Sequence, residues 1–144
     1  MRCSARVRVP SIAAAAAVTL AAGCEVSFAA PPRTAYRITP PAAYREAWRE
    51  IEQCSGRRAP FDQVRWYAVP DSTMPCPAGQ CSGLWYPPHD IYLTELHVHD
   101  PAGEYFVARH EMLHDLLQVA SHPATFCTCR LGGTEPEMGG CLSR

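Results

Sequence analysis

Arg109-His110-Glu111-Met112-Leu113-His114-Asp115 is the segment that decides the fold of this chain. It places two histidines four residues apart within a run that has helical periodicity. Because an α-helix has about 3.6 residues per turn, both imidazoles lie on one helix face and can bind one metal ion from the same side. Glu111 lies beside the position that these ligands leave open, where a carboxylate can take a proton from water. The spacing therefore predicts a helix with His110 and His114 as zinc ligands and Glu111 as general base.

A third zinc ligand must come from outside this motif, because catalytic zinc has three protein ligands and one open position. His122 is our first choice. In a continuous helix it would lie about 12 Å along the axis from His114, so it can bind only if the chain turns back. The sequence Ser121-His122-Pro123 contains a helix-breaking proline, which makes such a turn possible.

Other residues remain open as partners of the site. The alternative third ligands are His97 or His99, on the strand side of the motif, and Glu135 or Glu137 in the tail. His97 and His99 should share one strand face at a strand's end. Asp115 is better placed to steer an imidazole than to bind the metal. The oxyanion formed during hydrolysis needs a donor, and the candidates are Tyr86, Tyr92 and Tyr105.

The segments around the motif predict an α+β domain. Pro41 can open a first helix, in which Tyr44, Ala47, Trp48 and Ile51 form one apolar stripe and which Gly56 ends. Residues 61–69, 84–86 and 91–96 read as strands of a small antiparallel or mixed sheet of about three strands. Asp100 can cap the central helix and Pro101 fits its first position, so this helix should run from there to about Ala120. The segment 71–83 reads as a turn-rich loop, and the tail from Ala124 as irregular chain held by disulfides.

The N-terminal residues 1–23 look like an export signal, with three arginines followed by an alanine-rich apolar run too short for a membrane span. The sequence Leu20-Ala21-Ala22-Gly23-Cys24 resembles a bacterial lipobox, which implies cleavage before Cys24 and a lipid on its thiol. The alternative is an ordinary signal cut after Ala29 or Ala30, which gives a secreted protein. We expect residues 24–40, rich in proline, to form a flexible tether and residues 41–144 to form one domain.

Cysteine parity agrees with the lipobox. The chain has eight cysteines; Cys3 leaves with the signal and Cys24 carries the lipid. Six then remain, an even number that suits disulfides in an oxidising compartment. Sequence does not choose their pairing, although Cys76 and Cys81 are close enough along the chain for a local bridge. The six are Cys54, Cys76, Cys81, Cys127, Cys129 and Cys141.

The charge balance excludes one class of partner. The chain has 13 arginines, no lysine and 14 acidic residues. Removal of residues 1–23 takes away three arginines and no acid, which leaves ten basic and 14 acidic residues, about −4. This balance, with no long basic run, argues against nucleic acid as a partner. We expect a monomer.

The motif His110-Glu111-Met112-Leu113-His114 resembles the signature of the zincin metallopeptidases. It departs from the metzincin pattern, because Leu117 and Ala120 stand where that pattern has glycine and a third histidine. The run 110–126 is closer to the SprT-like arrangement, in which a later histidine and an aromatic residue after it complete the site. The interval is shorter here, and Pro123 stands where glycine is usual.

This resemblance implies a compact zincin-like domain, supports His122 as third ligand and suggests strand 91–96 for backbone pairing with a peptide substrate. The association of SprT-like proteins with DNA is not carried over, given the export signal and the acidic chain. The sequence thus predicts an exported, membrane-tethered zinc metallopeptidase of the cell envelope. The alternatives are a surface-tethered zinc-binding module and a disulfide-stapled envelope module, both without hydrolytic activity.

Overall fold

The computed structural model describes residues 30–100 and 104–131, so the predicted signal, lipobox and the last part of the tail lie outside the described residues. The described chain is α+β, as predicted, with helices and strands that interleave along the sequence. In chain order its elements are β1 (Tyr36–Arg37), α1 (Ala43–Ser55), a 3-10 turn (Phe61–Gln63), β2 (Arg65–Val69), β3 (Met74–Cys76), β4 (Gly79–Cys81), β5 (Gly83–Tyr86), β6 (Asp90–Thr94), α2 (Glu95–Val98), α3 (Phe106–Leu117) and α4 (Thr125–Thr128).

The main sheet is mixed and has four strands in the order β1-β2-β6-β5. Strands β2 and β6 are parallel, whereas β1 and β5 pair antiparallel to their neighbours. The three predicted strands are present, but β1 lies within the segment 24–40 that we expected to be a flexible tether. Tyr36 and Arg37 are exposed and pair with β2 opposite Ala68 and Tyr67, so no burial pattern in the sequence marks them as a strand.

Helix α1 packs its predicted apolar stripe into the core, as Tyr44, Ala47, Trp48 and Ile51 are all buried. It ends as predicted at Gly56, whose φ of 67° is the left-handed conformation that glycine adopts at little cost. The same core contains the inner faces of β2 and β6 and the buried side of α3. The first predicted helix is therefore confirmed in position and in orientation.

Helix α3 carries the His-Glu-x-x-His motif but is shorter than predicted at both ends. It begins at Phe106, because Tyr105 has a left-handed φ of 48° and donates its backbone N–H to Asp100 Oδ2. It ends at Leu117, after which Gln118 adopts a left-handed φ of 53°. Asp100 thus accepts a hydrogen bond from the residue before the helix, which begins at Phe106.

Short elements account for the other differences from the predicted fold. The predicted strand 61–69 begins as a 3-10 turn, and the strand 91–96 ends at Thr94, where helix α2 begins. The predicted loop 71–83 contains the hairpin of β3 and β4, and the predicted irregular tail contains α4. Each of these segments is three to five residues long, too short for a periodic pattern.

One disulfide joins Cys54, near the end of α1, to Cys129, directly after α4. Cys127 is also disulfide-bonded. Cys76 and Cys81 are free thiols, so the structure does not contain the local bridge that we expected there. Among residues 30–100 and 104–131, no helix has the length and apolar character that crossing a membrane requires.

Candidate metal centre

Three histidine side chains converge on one point, and two of them lie one turn apart on α3. His110 Nε2 lies 3.2 Å from His114 Nε2 and 3.0 Å from His122 Nε2. His122 reaches this point because the chain leaves α3 through the left-handed Gln118 and turns back. The separations are close to the roughly 3.3 Å expected between nitrogens of a tetrahedral zinc site with bonds of about 2.0–2.1 Å. This cluster can hold a metal ion.

The hydrogen bonds of the rings decide which nitrogens face the centre. His110 Nδ1 lies 2.8 Å from the carbonyl oxygen of Leu131, and His114 Nδ1 lies 2.7 Å from that of Val119. A carbonyl only accepts, so each Nδ1 carries the proton of a neutral imidazole and each Nε2 offers a lone pair. Two lone pairs that face each other at 3.2 Å repel unless a cation lies between them. The donor set therefore fits a metal ion.

The three imidazoles are held in an apolar surrounding. The ring of Phe126 lies 4.9 Å from that of His110, 4.6 Å from that of His114 and 4.9 Å from that of His122, between centroids. Burial lowers the pKa of His110 to about 4 and of His114 to about 3, and it also lowers the pKa of His122. Without a metal, the rings are therefore neutral at physiological pH and ready to bind a cation.

Glu111 is buried beside this cluster, with 6% of its surface exposed. Burial raises the pKa of its carboxyl to about 8, whereas a hydrogen bond from the backbone N–H of Trp85 lowers it. The first residue of β5 packs directly on this side chain: a methyl group built on Gly83 would lie 2.7 Å from Glu111 Oε1. The edge of the sheet therefore fixes the position of the carboxyl group.

A cavity of about 310 Å³ opens onto the cluster and is lined by all three histidines and Glu111. Apart from these four, the lining that residues 30–100 and 104–131 provide carries no acidic or basic side chain. The remaining walls are largely apolar and come from the β3–β4 hairpin, β5 and the start of α3; they include Pro77, Ala78, Leu84, Trp85, Phe106 and Val107. The arrangement combines three imidazoles that can hold a metal ion, a buried carboxyl group and a cavity beside them.

The alternative ligands do not join the cluster. His97 belongs to α2, where its Nδ1 lies 2.7 Å from Thr94 Oγ1, and the prediction that His97 and His99 share a strand face is wrong. Neither belongs to the group of histidines that can hold a metal ion. Glu135 and Glu137 lie outside the described residues. The ligand role of His122 stays a prediction that the geometry favours.

None of the three tyrosines considered as oxyanion donors lines the cavity. Tyr92 stacks on Tyr67 at 4.7 Å between ring centroids, and Tyr105 packs edge-on against Tyr44 at 5.3 Å. Tyr86 packs against a separate apolar cluster beside the hairpin. The geometry therefore gives these side chains structural contacts and assigns them no place at the metal centre.

Asp115 does not contact an imidazole of the cluster, contrary to the sequence-based expectation. Its Oδ1 accepts a hydrogen bond from Trp85 Nε1 at 3.0 Å and lies 3.1 Å from His89 Nδ1. The indole of Trp85 in turn stacks on the ring of His114, with 6.2 Å between centroids and 10° between planes. Trp85 thus connects Asp115 with the ring of His114, a contact that sequence spacing does not reveal.

Neither the family models, nor the curated proteins, nor the solved structures with which the chain was compared contain a match.

Proposed function

We propose that this protein is a zinc-dependent peptidase. The observation that carries the proposal is the convergence of His110, His114 and His122 next to Glu111, at the floor of a cavity. Three neutral imidazoles with space beside them form the donor set of catalytic zinc sites, which keep one coordination position open. A structural zinc site has four protein ligands, and the cluster among the described residues has three.

We propose zinc as the metal. Imidazole nitrogens suit zinc and other transition metals, whereas magnesium and calcium prefer oxygen ligands. The carbonyl groups of Leu131 and Val119 orient two of the rings through their Nδ1 protons. Such outer contacts are typical of histidine ligands and raise their basicity.

Zinc bound here would supply a Lewis acid that polarises the scissile carbonyl and makes water acidic enough to react near neutral pH. Glu111 takes the proton from the attacking water and passes it to the leaving amine. A nearby cation favours the ionised carboxylate, so metal binding would bring the pKa of Glu111 below the value of about 8 that burial alone produces. The largely apolar walls lower the local polarity and so strengthen these interactions.

The strand on which a peptide would pair must be an edge strand. Strand β6, which covers most of the segment suggested by the zincin resemblance, is hydrogen-bonded to β2 on one side and β5 on the other. Strand β5 lies at the edge of the sheet, and its Gly83 packs against Glu111. We therefore place the peptide backbone along β5, where β-augmentation would bring it beside the metal centre.

We further propose that the protein is exported and tethered to a membrane by a lipid on Cys24. The Cys54–Cys129 disulfide supports export, because such bonds persist in oxidising compartments. The lipid proposal rests on the sequence of residues 1–24, which has the pattern of an export signal followed by a lipobox with Cys24 as the lipidated residue.

The decisive experiment combines zinc content with peptide hydrolysis. Wild type and Glu111→Gln should each bind one zinc by elemental analysis, and only the wild type should cleave a fluorogenic peptide library. Glu104→Gln is the matched control, because Glu104 is exposed and does not line the cavity. His122→Ala should lose both zinc and hydrolysis.

Two outcomes would contradict the proposal. Hydrolysis retained by Glu111→Gln would remove Glu111 from the mechanism. Zinc binding without hydrolysis of any peptide in the wild type would leave the zinc-binding module as the better description.

A further inference from the structure

Two free thiols line the same cavity as the metal cluster. Cys76 ends β3 and Cys81 ends β4, and the hairpin register pairs Cys76 with Gly79 and Met74 with Cys81. In an antiparallel pair, this offset places both side chains on one face as diagonal neighbours. The two thiols lie close enough to hydrogen-bond with each other. Both are partly exposed and both contribute to the cavity wall.

We propose that Cys76 and Cys81 form a reversible dithiol–disulfide site that reacts with small-molecule disulfides entering the cavity. The inference concerns chemistry that is independent of the proposed hydrolysis. It goes beyond the structural disulfides expected from cysteine parity, because it assigns to this pair a bond that opens and closes in the folded protein.

The reaction takes place in two exchange steps. The Cys76 sulfur attacks one sulfur of the external disulfide, whose S–S bond breaks and releases the first small thiol. The Cys81 sulfur then attacks the mixed disulfide, so the Cys76–Cys81 bond forms and the second small thiol leaves. The two protons of the protein thiols end on the released thiols, and the external disulfide receives the two electrons.

The order of attack follows from the surroundings of the two sulfurs. Burial raises the pKa of the Cys81 thiol, and the neighbouring Cys76 raises it further. Cys81 Sγ also donates a hydrogen bond to the carbonyl oxygen of Met74 at 3.6 Å, which favours the protonated thiol. A protonated thiol is a poor nucleophile, so the first attack belongs to Cys76 and the second, intramolecular attack to Cys81.

The pair should be easier to reduce than the Cys54–Cys129 bond. A bridge between Cys76 and Cys81 closes a very short loop, whereas Cys54 and Cys129 are 75 residues apart. In the chain-entropy description, a longer closed loop stabilises the folded state more, which makes its bond harder to reduce. The Cys76 and Cys81 sulfurs also face the cavity, where a reductant can reach them.

A bond between Cys76 and Cys81 would affect the metal centre through the residues that connect Cys81 to Gly83. Only Ser82 separates Cys81 from Gly83, which packs against Glu111 and Val107 without room for a Cβ atom. A bond across the hairpin fixes this wall of the cavity, and its reduction releases it. We therefore expect slower amide hydrogen exchange in residues 74–83 of the oxidised form.

The test uses the full chain equilibrated with glutathione at graded ratios of disulfide to thiol, followed by alkylation, proteolysis and mass spectrometry. We expect the peptide with both residues to carry two alkyl groups at reducing ratios at which Cys54–Cys129 stays closed. At oxidising ratios it should carry none and have the mass of the free dithiol less two hydrogens. Cys81→Ser should stop at a glutathione mixed disulfide on Cys76. Cys76→Ser should react far less.

Two results would overturn the proposal. One is a pair that stays as two thiols at every ratio in the wild type. The other is a bridge that reopens only under conditions that also open Cys54–Cys129, since the bond would then be a second structural disulfide. The Cys76→Ser/Cys81→Ser double variant is the control for hydrogen exchange, because glutathione should leave its exchange in residues 74–83 unchanged.

Discussion

At the scale of single residues, the burial of Glu111, the general base of our proposal, has a cost to folding. Its carboxyl group is buried beside neutral imidazoles, and burial raises its pKa to about 8 from an ordinary value of 4.5. In the metal-free protein, the folded state therefore holds a proton on Glu111 that the unfolded chain has already lost between these two pH values. The contribution of Glu111 to stability is therefore fully present below about pH 4.5 and is lost as pH rises through about 8.

The prediction is that Glu111→Gln removes this dependence. With zinc chelated, the free energy of unfolding of the wild type should fall relative to Glu111→Gln as pH rises from about 5 to 8, by at most about 1.4 kcal/mol per pH unit. The histidines are the same in both proteins, so their own titration cancels in the difference. Urea unfolding at several pH values measures this difference in the free energy of unfolding. The free energy of unfolding of Glu104→Gln should vary with pH as that of the wild type does. A constant difference between wild type and Glu111→Gln would contradict the burial argument.

At the scale of elements, the contact between β5 and α3 positions the carboxyl group against the edge of the sheet. A Cβ atom at Gly83 would lie 2.6 Å from Val107 Cγ1 and 2.7 Å from Glu111 Oε1, closer than real Cβ contacts. Gly83→Ala must therefore push β5 away from α3 or displace the Glu111 side chain. We expect hydrolysis to fall at least about tenfold and stability by roughly 1–3 kcal/mol, with zinc retained.

The readouts are kcat/KM on a fluorogenic peptide, zinc content and urea unfolding. Ser82→Ala is the matched control, because it changes the neighbouring cavity residue without adding atoms. Val107→Ala combined with Gly83→Ala should recover part of the lost stability, because it removes one of the two contacts. Full hydrolysis by Gly83→Ala alone would show that the close approach does not position Glu111.

Elements with several turns or a clear alternation could be predicted from the sequence. The apolar stripe of α1 and the motif helix α3 have enough residues for their periodicity to be recognised. The elements that the sequence did not predict have only two to four residues each: β1, β3, β4, α2 and α4. Contacts with other parts of the fold, rather than a local sequence pattern, determine their structure. The proline-rich segment before α1 therefore has the sequence pattern of a tether, although its residues Tyr36 and Arg37 pair with β2.

The centre of the site followed from sequence, whereas its supporting contacts did not. Helical spacing brings His110 and His114 together, and the break after α3 allowed the return of His122. Asp115 follows His114 directly, but one residue rotates the direction of a side chain by about 100° around a helix. It therefore faces Trp85 and His89 rather than the metal cluster. The groups that orient the His110 and His114 rings are backbone carbonyls, and no residue type in the sequence indicates such a contact.

At the scale of the whole molecule, the Cys54–Cys129 disulfide connects α1 to the segment that completes the metal centre. That segment carries Phe126, which packs on all three imidazoles. It also carries Leu131, whose carbonyl oxygen accepts a hydrogen bond from His110 Nδ1–H. Metal binding and the disulfide should therefore stabilise the same region. A metal that binds only the folded state adds about 2.7 kcal/mol at a concentration one hundred times its Kd.

The last prediction is that these two contributions are coupled. Cys54→Ala/Cys129→Ala should lower the free energy of unfolding by roughly 2–4 kcal/mol and also weaken zinc binding, because the segment that positions Phe126 and Leu131 gains freedom. Thermal unfolding with and without zinc, in wild type and variant, gives the coupling as a double-mutant cycle. The same cysteine change in a His110→Ala background is the control, since metal contributes nothing there. Equal stabilisation by zinc with and without the disulfide would mean that the metal centre is held together by α3 and its turn alone.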